Sequence, residues 1–269
     1  MAHAETTFSV VIPVRDEAGN IGALIDEIRR VLEGHSWYEI VVVDDGSRDN
    51  TWGELQARVG HGGAKGAEKN SGKEQEGKRE GGLLRLCRHR EACGQSRALL
   101  TGIQAANQPW IVTLDGDGQN DPADIPKLWN QLTRPGPIDP LHVLMGHRVN
   151  RQDSISKKLA SRLGNRIRAR ILQDATPDSG CGLKLFSRAL FLQLPYFDHM
   201  HRFLPALFKR HGATFRSVPV NHRPRQQGQS HYGILDRLAA GLVDLLGVLW
   251  LLKRSHLPTL IEEESNLER

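Results

Sequence analysis

The chain has 269 residues, of which 39% are hydrophobic and 25% are charged, and its formal net charge is +5. These values are typical of a soluble globular enzyme and exclude a disordered, collagenous or disulfide-rich scaffold. Its three cysteines form no CxxC pair, so we expect neither a disulfide framework nor a cysteine zinc site. The length favours one large domain, and the cysteine usage favours a reducing compartment.

The first half of the chain alternates predicted strands and helices. Phe8 to Val14 and Glu39 to Asp44 are nearly continuous β-branched runs, typical of strands covered on both faces of a parallel sheet. Between them, Asn20 is expected to cap a helix that Gly34 ends. The further predicted elements are a helix over Thr51–Val59, a strand over Leu83–Cys87, a helix over Gln95–Ala106, strands over Trp110–Leu114 and His142–Gly146, a basic helix over Ile155–Leu172 and a strand over Thr214–Val220. This alternation predicts a doubly wound α/β fold.

One segment, Gly60 to Gly82, interrupts the alternation. It contains eight glycines, five Lys or Arg residues and four Glu residues, and no large apolar residue. Such a composition cannot build a core, and its charges nearly cancel. We therefore predict a flexible insertion rather than a binding element.

Positive charge is concentrated between Arg148 and Arg170, where eight Lys or Arg residues accompany one acid, Asp153. Such a stretch favours an anionic partner, and nucleic acid, an anionic membrane surface and a phosphorylated substrate all qualify. A solvated helix face explains the same pattern equally well. The charge count alone does not choose among these.

The sequence also bears on whether the chain has a secretory signal or a membrane-spanning helix. Met1 to Thr7 has no basic stretch before an apolar run, so we expect no secretory signal. The longest apolar segment, Gly233 to Leu252, is interrupted by Asp236, Arg237 and Asp244. It is therefore not expected to span a membrane as a conventional helix, whereas a helix lying on a membrane stays open.

Acidic side chains follow three of the predicted strands. They are Asp16 and Glu17 after the first strand, Asp44 and Asp45 after the second, and Asp115 and Asp117 after the fourth. The carboxyl ends of strands line the ligand crevice of an open α/β sheet, and acids that converge there repel one another unless a divalent cation lies among them. The chain has no GxGxxG after the first strand and no P-loop, which argues against a dinucleotide oxidoreductase and a P-loop ATPase.

Four segments together resemble glycosyltransferase family 2 with the GT-A fold: VVIPVRDE (10–17), EIVVVDDGSRDNT (39–51), GQSRALLTG (94–102) and LDGDGQNDP (114–122). Four more resemble its polyprenyl-phosphate branch, the dolichyl-phosphate mannose synthases and bacterial undecaprenyl-phosphate glycosyltransferases: GHR (146–148), SRLGN (161–165), DSGCGLKLF (178–186) and RQQGQSHYG (225–233). The resemblance implies a GT-A catalytic domain over residues 1–232 with a mixed, mostly parallel sheet. An amphipathic, membrane-associating helix and a polar tail would follow over residues 233–269.

The resemblance also implies which residues bind the donor. Those implied for the nucleotide are Pro13, Arg15, Glu17, Val43, Asp45 and Asp115. Asp45 would contact the base, although a helix cap is the alternative structural role, one that suits Asp49 better. Asp117 and Gln119 match the metal ligands, and their oxygen donors suit Mg²⁺ or Mn²⁺.

The catalytic residues implied by the resemblance are Asp117, Arg148, Arg162, Arg225 and Ser230. The arginines would face the acceptor phosphate and the donor diphosphate, because a planar guanidinium donates two parallel hydrogen bonds to phosphate. Arg166 and Arg168 lie close to Arg162 on the predicted basic helix and could take its role. His231 stands where the family commonly has Lys, which reduces the fixed positive charge.

The reaction that the resemblance implies is a metal-dependent, inverting transfer of a sugar from a nucleotide sugar to a polyprenyl phosphate. A lipid phosphate is already anionic near neutral pH, so the reaction needs no strong general base. The implied partners are the nucleotide sugar, the lipid acceptor and the inner face of the cell membrane, where the enzyme would be a peripheral cytoplasmic protein. An integral-membrane partner or a homo-oligomer stays open, and no nucleic acid is expected.

The C-terminal stretch fits a lipid substrate. Its apolar stripe recurs every three or four residues, at Leu235, Leu238, Leu242, Leu245, Leu249 and Leu252. Trp250 lies near its end, and Lys253 and Arg254 follow. Docking on a membrane and packing on the domain's own core are both consistent with this pattern.

The same residues leave two alternative functions open. A family 2 transferase that acts on a hydroxyl acceptor, in cell-envelope polysaccharide or lipopolysaccharide synthesis, would require a general base near the acceptor. A nucleic-acid-binding module is the alternative from a different class. The modest net charge and the acidic strand ends argue against it, because both disfavour phosphate binding without a metal.

Overall fold

The computed structural model describes residues 7–35, 38–61, 82–134, 138–149, 170–172, 176–224 and 234–254. Seven strands form one sheet: β1 (Phe8–Val14), β2 (Tyr38–Asp44), β3 (Leu83–Arg88), β4 (Trp110–Thr113), β5 (His142–Arg148), β6 (Lys184–Ser187) and β7 (Thr214–Val220). Their spatial order is β3-β2-β1-β4-β6-β5-β7. Strand β6 pairs antiparallel with β4 and β5, and all other neighbours pair in parallel. The predicted mixed, mostly parallel sheet is confirmed.

Helices connect these strands. They are α1 (Ile21–Val31), α2 (Thr51–His61), α3 (Gln95–Ala105), α4 (Ile125–Leu132), α5 (Arg188–Leu192), α6 (Leu204–Arg210) and α7 (Ile234–Arg254), with short 3₁₀ turns at Pro122–Asp124 and Met200–Arg202. Every residue of β1 and β2 is buried, as predicted for strands covered on both faces. Helix α1 buries Ile21, Leu24, Ile25 and Ile28, whose spacing puts them on one face.

The start of α1 differs from the prediction, because the Asn20 side chain makes no capping hydrogen bond. Its amide Nδ2 donates instead to Glu17 Oε2 at 2.7 Å. The backbone carbonyl of Glu17 accepts from the amides of Asn20 and Ile21, both at 3.1 Å, and so closes the turn before the helix. Beyond the other end of α1, Gly34 adopts a left-handed conformation with φ of 76°, as expected of a glycine that ends a helix.

The start of α2 resolves the choice between Asp45 and Asp49. The Asp49 carboxylate accepts from the Thr51 amide at 2.9 Å and from the Ala18 amide at 3.0 Å. These bonds lower the pKa of Asp49, although burial opposes the shift. Asp49 therefore holds the first turn of α2, and Asp45 is left for another role.

Four elements were not predicted from the sequence: β6, α4, α5 and α6. Of the predicted basic helix over Ile155–Leu172, the structure describes residues 170–172, which are helical. The rest of that helix and residues 62–81 of the predicted insertion lie outside the described residues. Residues 60 and 61 belong to the end of α2, and β3 begins at Leu83.

The chain divides into two units, Met1–His231 and Tyr232–Arg269. The second unit contains α7, on which Leu242, Val243, Leu246 and Trp250 are exposed. This exposed apolar face differs from the predicted leucine stripe. Among the residues of α7 whose burial is described, the two sets share only Leu242. No helix in the described part of the chain has both the length and the apolar character that a membrane span requires.

Candidate active site

The carboxyl ends of β1, β2 and β4 bring together the residues implied in donor binding. Pro13 and Val43 are direct partners in the register of β1 and β2. The Asp45 amide donates to the Val14 carbonyl at 2.8 Å. A Cβ placed on Gly116 would lie 2.4 Å from Val14 Cγ1, so the loop that carries Asp115 runs against the end of β1. These residues therefore lie together at the carboxyl ends of the three strands.

The acid loops after β1 and β2 hold each other. The Asp16 amide donates to Ser47 Oγ at 2.9 Å, and Asp16 Oδ1 accepts from the Arg48 amide at 2.7 Å. Asp16 adopts φ of 54°, a left-handed conformation that such bonds must stabilise in a residue other than glycine. Arg15 is exposed, and its Nε lies 3.7 Å from Asp16 Oδ2.

Asp44 is fully buried at the end of β2 and is likewise paired within the protein. Its Oδ1 accepts from the Ser47 amide at 2.9 Å, and Arg88 Nε lies 3.1 Å from its Oδ2. The carboxylates of Asp16 and Asp44 are thus compensated by backbone amides and arginine, so these two acids need no cation to offset their charge. A cation among the acids of the three loops stays a prediction.

Asp45 is buried and organises the segment before α3. Its Oδ1 accepts from the Cys93 amide at 2.8 Å, and its Oδ2 accepts from the Gly94 amide at 2.7 Å. His89 Nδ1 lies 2.7 Å from Asp45 Oδ1, and His89 Nε2 lies 2.9 Å from Thr101 Oγ1. Sequence reasoning missed His89, whose position directly after β3 was the available signal. The implied contact of Asp45 with a base stays a prediction.

Metal-type ligand atoms of Asp45, His89 and Cys93 lie within 4.8 Å of one another. These groups already form hydrogen bonds, including one from Cys93 Sγ to the Glu91 carbonyl at 3.4 Å. The cluster is therefore stable as a hydrogen-bonded unit.

Asp115 and Asp117 differ from the other acids because they repel each other. Burial raises the pKa of Asp115 to about 6, and the Asp117 carboxylate adds to this, while Lys184, Arg148 and a hydrogen bond from Gln95 oppose it. That hydrogen bond, from Gln95 Nε2 to Asp115 Oδ1, measures 2.9 Å. Two carboxylates in mutual repulsion, followed by the amide oxygen of Gln119, form a donor set that fits a hard divalent cation.

Lys184 is a buried cation behind this pair that sequence reasoning did not identify. It begins β6, and its Nζ donates to the backbone carbonyl of Cys181. Burial lowers the pKa of Lys184, while the charges of Cys181, Asp115 and Asp178 oppose that shift. The available signal was a charged residue inside the short apolar run LKLF, because a lysine is rarely buried without nearby acceptors.

Arg148 ends β5 and is paired more tightly than the prediction supposed. Its Nε donates to Asp178 Oδ2 and its Nη2 to Asp178 Oδ1, both at 2.7 Å. Burial opposes its charge, but these bonds raise the pKa of Arg148 above its usual value. Nε and Nη2 of the guanidinium are thus hydrogen-bonded to Asp178. A contact of Arg148 with phosphate stays a prediction.

His201 meets the start of α3. Its Nδ1 lies 2.8 Å from Ser96 Oγ. Burial, followed by the positive charge of Arg202, lowers the pKa of His201 to about 3. The imidazole is therefore neutral and a weak base at physiological pH.

The remaining implied residues divide into two groups. Glu17 is buried at the β1 loop, where its backbone amide donates to Thr51 Oγ1 at 2.9 Å. Arg162, Arg225 and Ser230 lie outside the described residues, so their implied roles stay predictions.

The sequence matches a known family over most of the unit Met1–His231. Residues 9–194 match the family described as Glycosyl transferase family 2. The chain belongs to glycosyltransferase family 2. It is therefore a glycosyltransferase, and its sheet is that of the GT-A fold.

Two curated relatives are similar over nearly the whole chain. The dodecaprenyl-phosphate galacturonate synthase of Rhizobium johnstonii is 32% identical over 250 residues, which cover 91% of this chain and 67% of the relative. The undecaprenyl-phosphate 4-deoxy-4-formamido-L-arabinose transferase of Yersinia pestis is 29% identical over 242 residues, with coverages of 90% and 67%. The chain thus spans about two thirds of the length of these relatives.

The fold is similar to that of a solved enzyme. Glucosyl-3-phosphoglycerate synthase from Mycobacterium tuberculosis, in complex with Mn²⁺, UDP-glucose and glycerol 3-phosphate, matches with a TM-score of 0.64 and 19% identity. The match covers 93% of this chain and 80% of that enzyme. A complex of the same enzyme with Mg²⁺ and UDP matches with a TM-score of 0.63.

Proposed function

We propose that this glycosyltransferase moves a sugar from a nucleotide sugar to a polyprenyl phosphate, in a metal-dependent reaction that inverts the anomeric carbon. The observation that carries the proposal is the Asp115–Asp117 pair at the end of β4, with its mutual repulsion and its oxygen donors. Asp117 and Gln119 would hold Mg²⁺ or Mn²⁺. When bound, such an ion neutralises the negative charge that develops on a departing diphosphate.

The donor side of the site is rigid, which suits a nucleotide that must be held in one orientation. Asp45 fixes Gly94 at the start of α3, and the next residue, Gln95, donates to Asp115. Two hydrogen bonds, one at Gly94 and the next at its neighbour Gln95, thus connect the loop expected to hold the base with the acid expected near the ribose and diphosphate. The fold neighbour's complexes with UDP and UDP-glucose support a nucleotide as a ligand of this fold.

The names of both relatives support a polyprenyl phosphate as the acceptor. A phosphate oxygen would attack the anomeric carbon, the bond from that carbon to the donor diphosphate would break, and the nucleoside diphosphate would leave with the electron pair. The phosphate nucleophile is already anionic, so no proton must be removed in this step.

The lipid acceptor also implies a location. We propose that residues 233–269 associate with the inner face of the cell membrane, so that residues 1–232 meet the phosphate headgroup there. The exposed apolar face of α7, followed by the exposed Lys253 and Arg254, supports this arrangement.

The experiment that tests the proposal compares acceptors. Purified enzyme, Mn²⁺ and a panel of nucleotide sugars are incubated with either a polyprenyl phosphate or the corresponding free alcohol, and the lipid product is measured. We expect transfer to the phosphate alone. Arg225→Ala should lower use of the lipid phosphate about ten- to a hundredfold and spare nucleotide affinity, because a charge-assisted phosphate contact is lost.

Arg216→Ala is the matched control, since Arg216 is an exposed arginine on β7 whose Nη1 makes two 3.5 Å contacts with Gln131. Equal transfer to phosphate and alcohol would assign the enzyme to hydroxyl acceptors. A wild-type rate for Arg225→Ala would show that the acceptor phosphate is bound elsewhere.

A further inference from the structure

Arg223, just after β7, joins two distant parts of the chain. Its Nη1 and Nη2 donate to the two carboxylate oxygens of Glu27 on α1, both at 2.8 Å, and Nη2 also donates to Asp121 Oδ1 at 2.7 Å. Hydrogen bonding to Glu27 raises the pKa of Arg223, and burial opposes the shift only in part. We call Arg223, Glu27 and Asp121 the Arg223 clamp.

The backbone of the same residue holds the proposed metal-binding loop. The Arg223 amide donates to the Gln119 carbonyl at 2.9 Å, and the Arg223 carbonyl accepts from Gln119 Nε2 at 3.5 Å. Between these contacts, Asn120 and His222 form an isolated antiparallel bridge. Arg223 thus contacts Gln119 through its main chain and Asp121 through its side chain.

Asn221 reinforces the attachment on the side of the 3₁₀ turn. Its amide donates to Asp124 Oδ2 at 2.7 Å, and its Nδ2 donates to Asp121 Oδ2 at 3.1 Å. Asp121 Oδ1 also accepts from the Ala123 amide at 2.9 Å, which starts the turn. Both oxygens of Asp121 are therefore used to fix the end of the loop that begins at Asp115.

The middle of this loop packs loosely at Gly118. Gly118 adopts φ of 72°, and a Cβ built on it would meet no atom within 4 Å. A glycine at this point also gives the unbound loop more conformational freedom than another residue would. A ligand that binds a loop of this kind must order it, and a loop that is already ordered binds more tightly.

We propose that Arg223 is a positioning residue that holds Gln119, and with it Asp117, in the arrangement that binds the divalent cation. The inference rests on the proposed function, since it assumes the metal at Asp117 and Gln119. Arg223 touches neither sugar nor phosphate in this role. Its guanidinium connects helix α1, through Glu27, to the glycine-containing loop that carries Asp117 and Gln119.

The test measures metal affinity without turnover. The melting temperature of the full chain is followed during Mn²⁺ titration in the presence of whichever nucleoside diphosphate, among UDP, GDP, ADP and CDP, gives the wild type a Mn²⁺-dependent rise. Each variant is compared with its own metal-free value, so a general loss of stability does not enter the affinity. The variants are Arg223→Met, Glu27→Gln, Asp117→Ala and the β7 control Arg216→Met.

We expect Arg223→Met to weaken Mn²⁺ binding about tenfold, which corresponds to about 1.4 kcal/mol. Glu27→Gln should weaken it about threefold, although Glu27 lies on α1 and contacts Arg223 rather than the proposed metal ligands. Arg216→Met should bind as the wild type does. A merely structural clamp would lower the metal-free melting temperature of Arg223→Met and leave its Mn²⁺ affinity unchanged, and that result would overturn the inference.

The Asp117→Ala variant separates this inference from the proposed function. If Asp117→Ala loses the Mn²⁺ response while Arg223→Met retains wild-type affinity, the metal site stands and the clamp has no positioning role. If Asp117→Ala responds to Mn²⁺ as the wild type does, or the wild type responds with none of the nucleotides, the proposed metal site is wrong and the inference with it.

Discussion

At the scale of single residues, the acids of this site divide by what surrounds them. Asp44, Asp45 and Asp49 accept backbone amides at 2.7 to 2.9 Å, and the loops they hold are rigid as a result. Asp115 instead has a raised pKa, chiefly because it is buried and further because the Asp117 carboxylate lies nearby. The same residue type thus holds the loops at three positions, and at two others it supplies the carboxylates that we propose lie at the metal and the diphosphate.

Gly182 gives a direct test of the Asp115 position. A Cβ on Gly182 would lie 2.2 Å from Asp115 Oδ2 and 2.7 Å from Asn120 Oδ1, so Gly182→Ala must displace the carboxylate. We expect at least a tenfold loss of kcat/KM, because small misplacements of catalytic groups have large effects on rate. Gly247→Ala, where a Cβ meets nothing within 4 Å, is the control. Wild-type kinetics for Gly182→Ala would show that the position of Asp115 is not critical.

The pKa of Asp115 predicts how stability depends on pH. Its folded-state pKa of about 6 lies above the usual value, so the folded protein retains the proton more firmly than the unfolded chain. The associated stability is complete below pH ~4 and is lost as the pH rises through about 6. Asp115→Asn cannot ionise. In urea unfolding of metal-free protein, its stability relative to the wild type should therefore rise between pH 4.5 and 7.5, by about 2 kcal/mol. A difference that does not change with pH would contradict this.

At the scale of secondary structure, the elements that follow a simple hydrophobic period were predicted from the sequence. Strands β1 and β7 were predicted with their observed bounds, and helix α3 to within one residue. Strand β6 was missed because it is only four residues long and begins with Lys184, whose burial depends on acceptors far away in the sequence. Short helices such as α5 depend on similar tertiary contacts, and their local patterns are too brief to predict.

The candidate site shows the same division. Asp115, Asp117 and Gln119 were recognised because they are contiguous and match a family motif. The Arg148–Asp178 pair and the Arg223 clamp join residues that are 30 and 196 positions apart in the sequence. No local pattern records such pairings, so they emerge only when the sheet is assembled.

The insertion between α2 and β3 gives a prediction at this scale. Because α2 ends at His61 and β3 begins at Leu83, the deletion is confined to residues 62–81, replaced by a short Gly/Ser linker. We expect the free energy of unfolding to change by about 1 kcal/mol or less, since each halving of a loop changes closure entropy by about 0.6 kcal/mol. Turnover should stay near that of the wild type.

A matched control replaces residues 62–81 with a scrambled sequence of the same composition. Unfolding in urea and glycosyl transfer are measured for all three proteins. Loss of activity in both altered proteins would show that the native sequence of this segment contributes to the site. An insoluble deletion with an active scramble would show that its length is required.

At the scale of the whole molecule, the C-terminal unit differs from the rest of the chain in the apolar surface that it exposes. The unit Tyr232–Arg269 carries an exposed apolar face on α7, whereas most large apolar side chains described in the unit Met1–His231 are buried. A helix with exposed aliphatic and Trp side chains followed by basic residues is typical of segments that lie in a membrane interface. A lipid acceptor would be reached from such a surface.

The exposed face of α7 therefore predicts membrane binding that can be measured directly. Leu246 and Trp250 are 59% and 62% exposed, and burying each in a lipid interface should contribute about 1.5 to 3 kcal/mol. The double variant Leu246→Ser/Trp250→Ser should therefore bind vesicles that contain anionic phospholipid at least about a hundredfold more weakly in co-sedimentation. Leu192→Ser, an exposed apolar position on α5, is the control. Nucleotide binding should be unchanged in both. Wild-type vesicle binding by the double variant would show that α7 does not contact the membrane, and the acceptor would then have to reach the site by another surface.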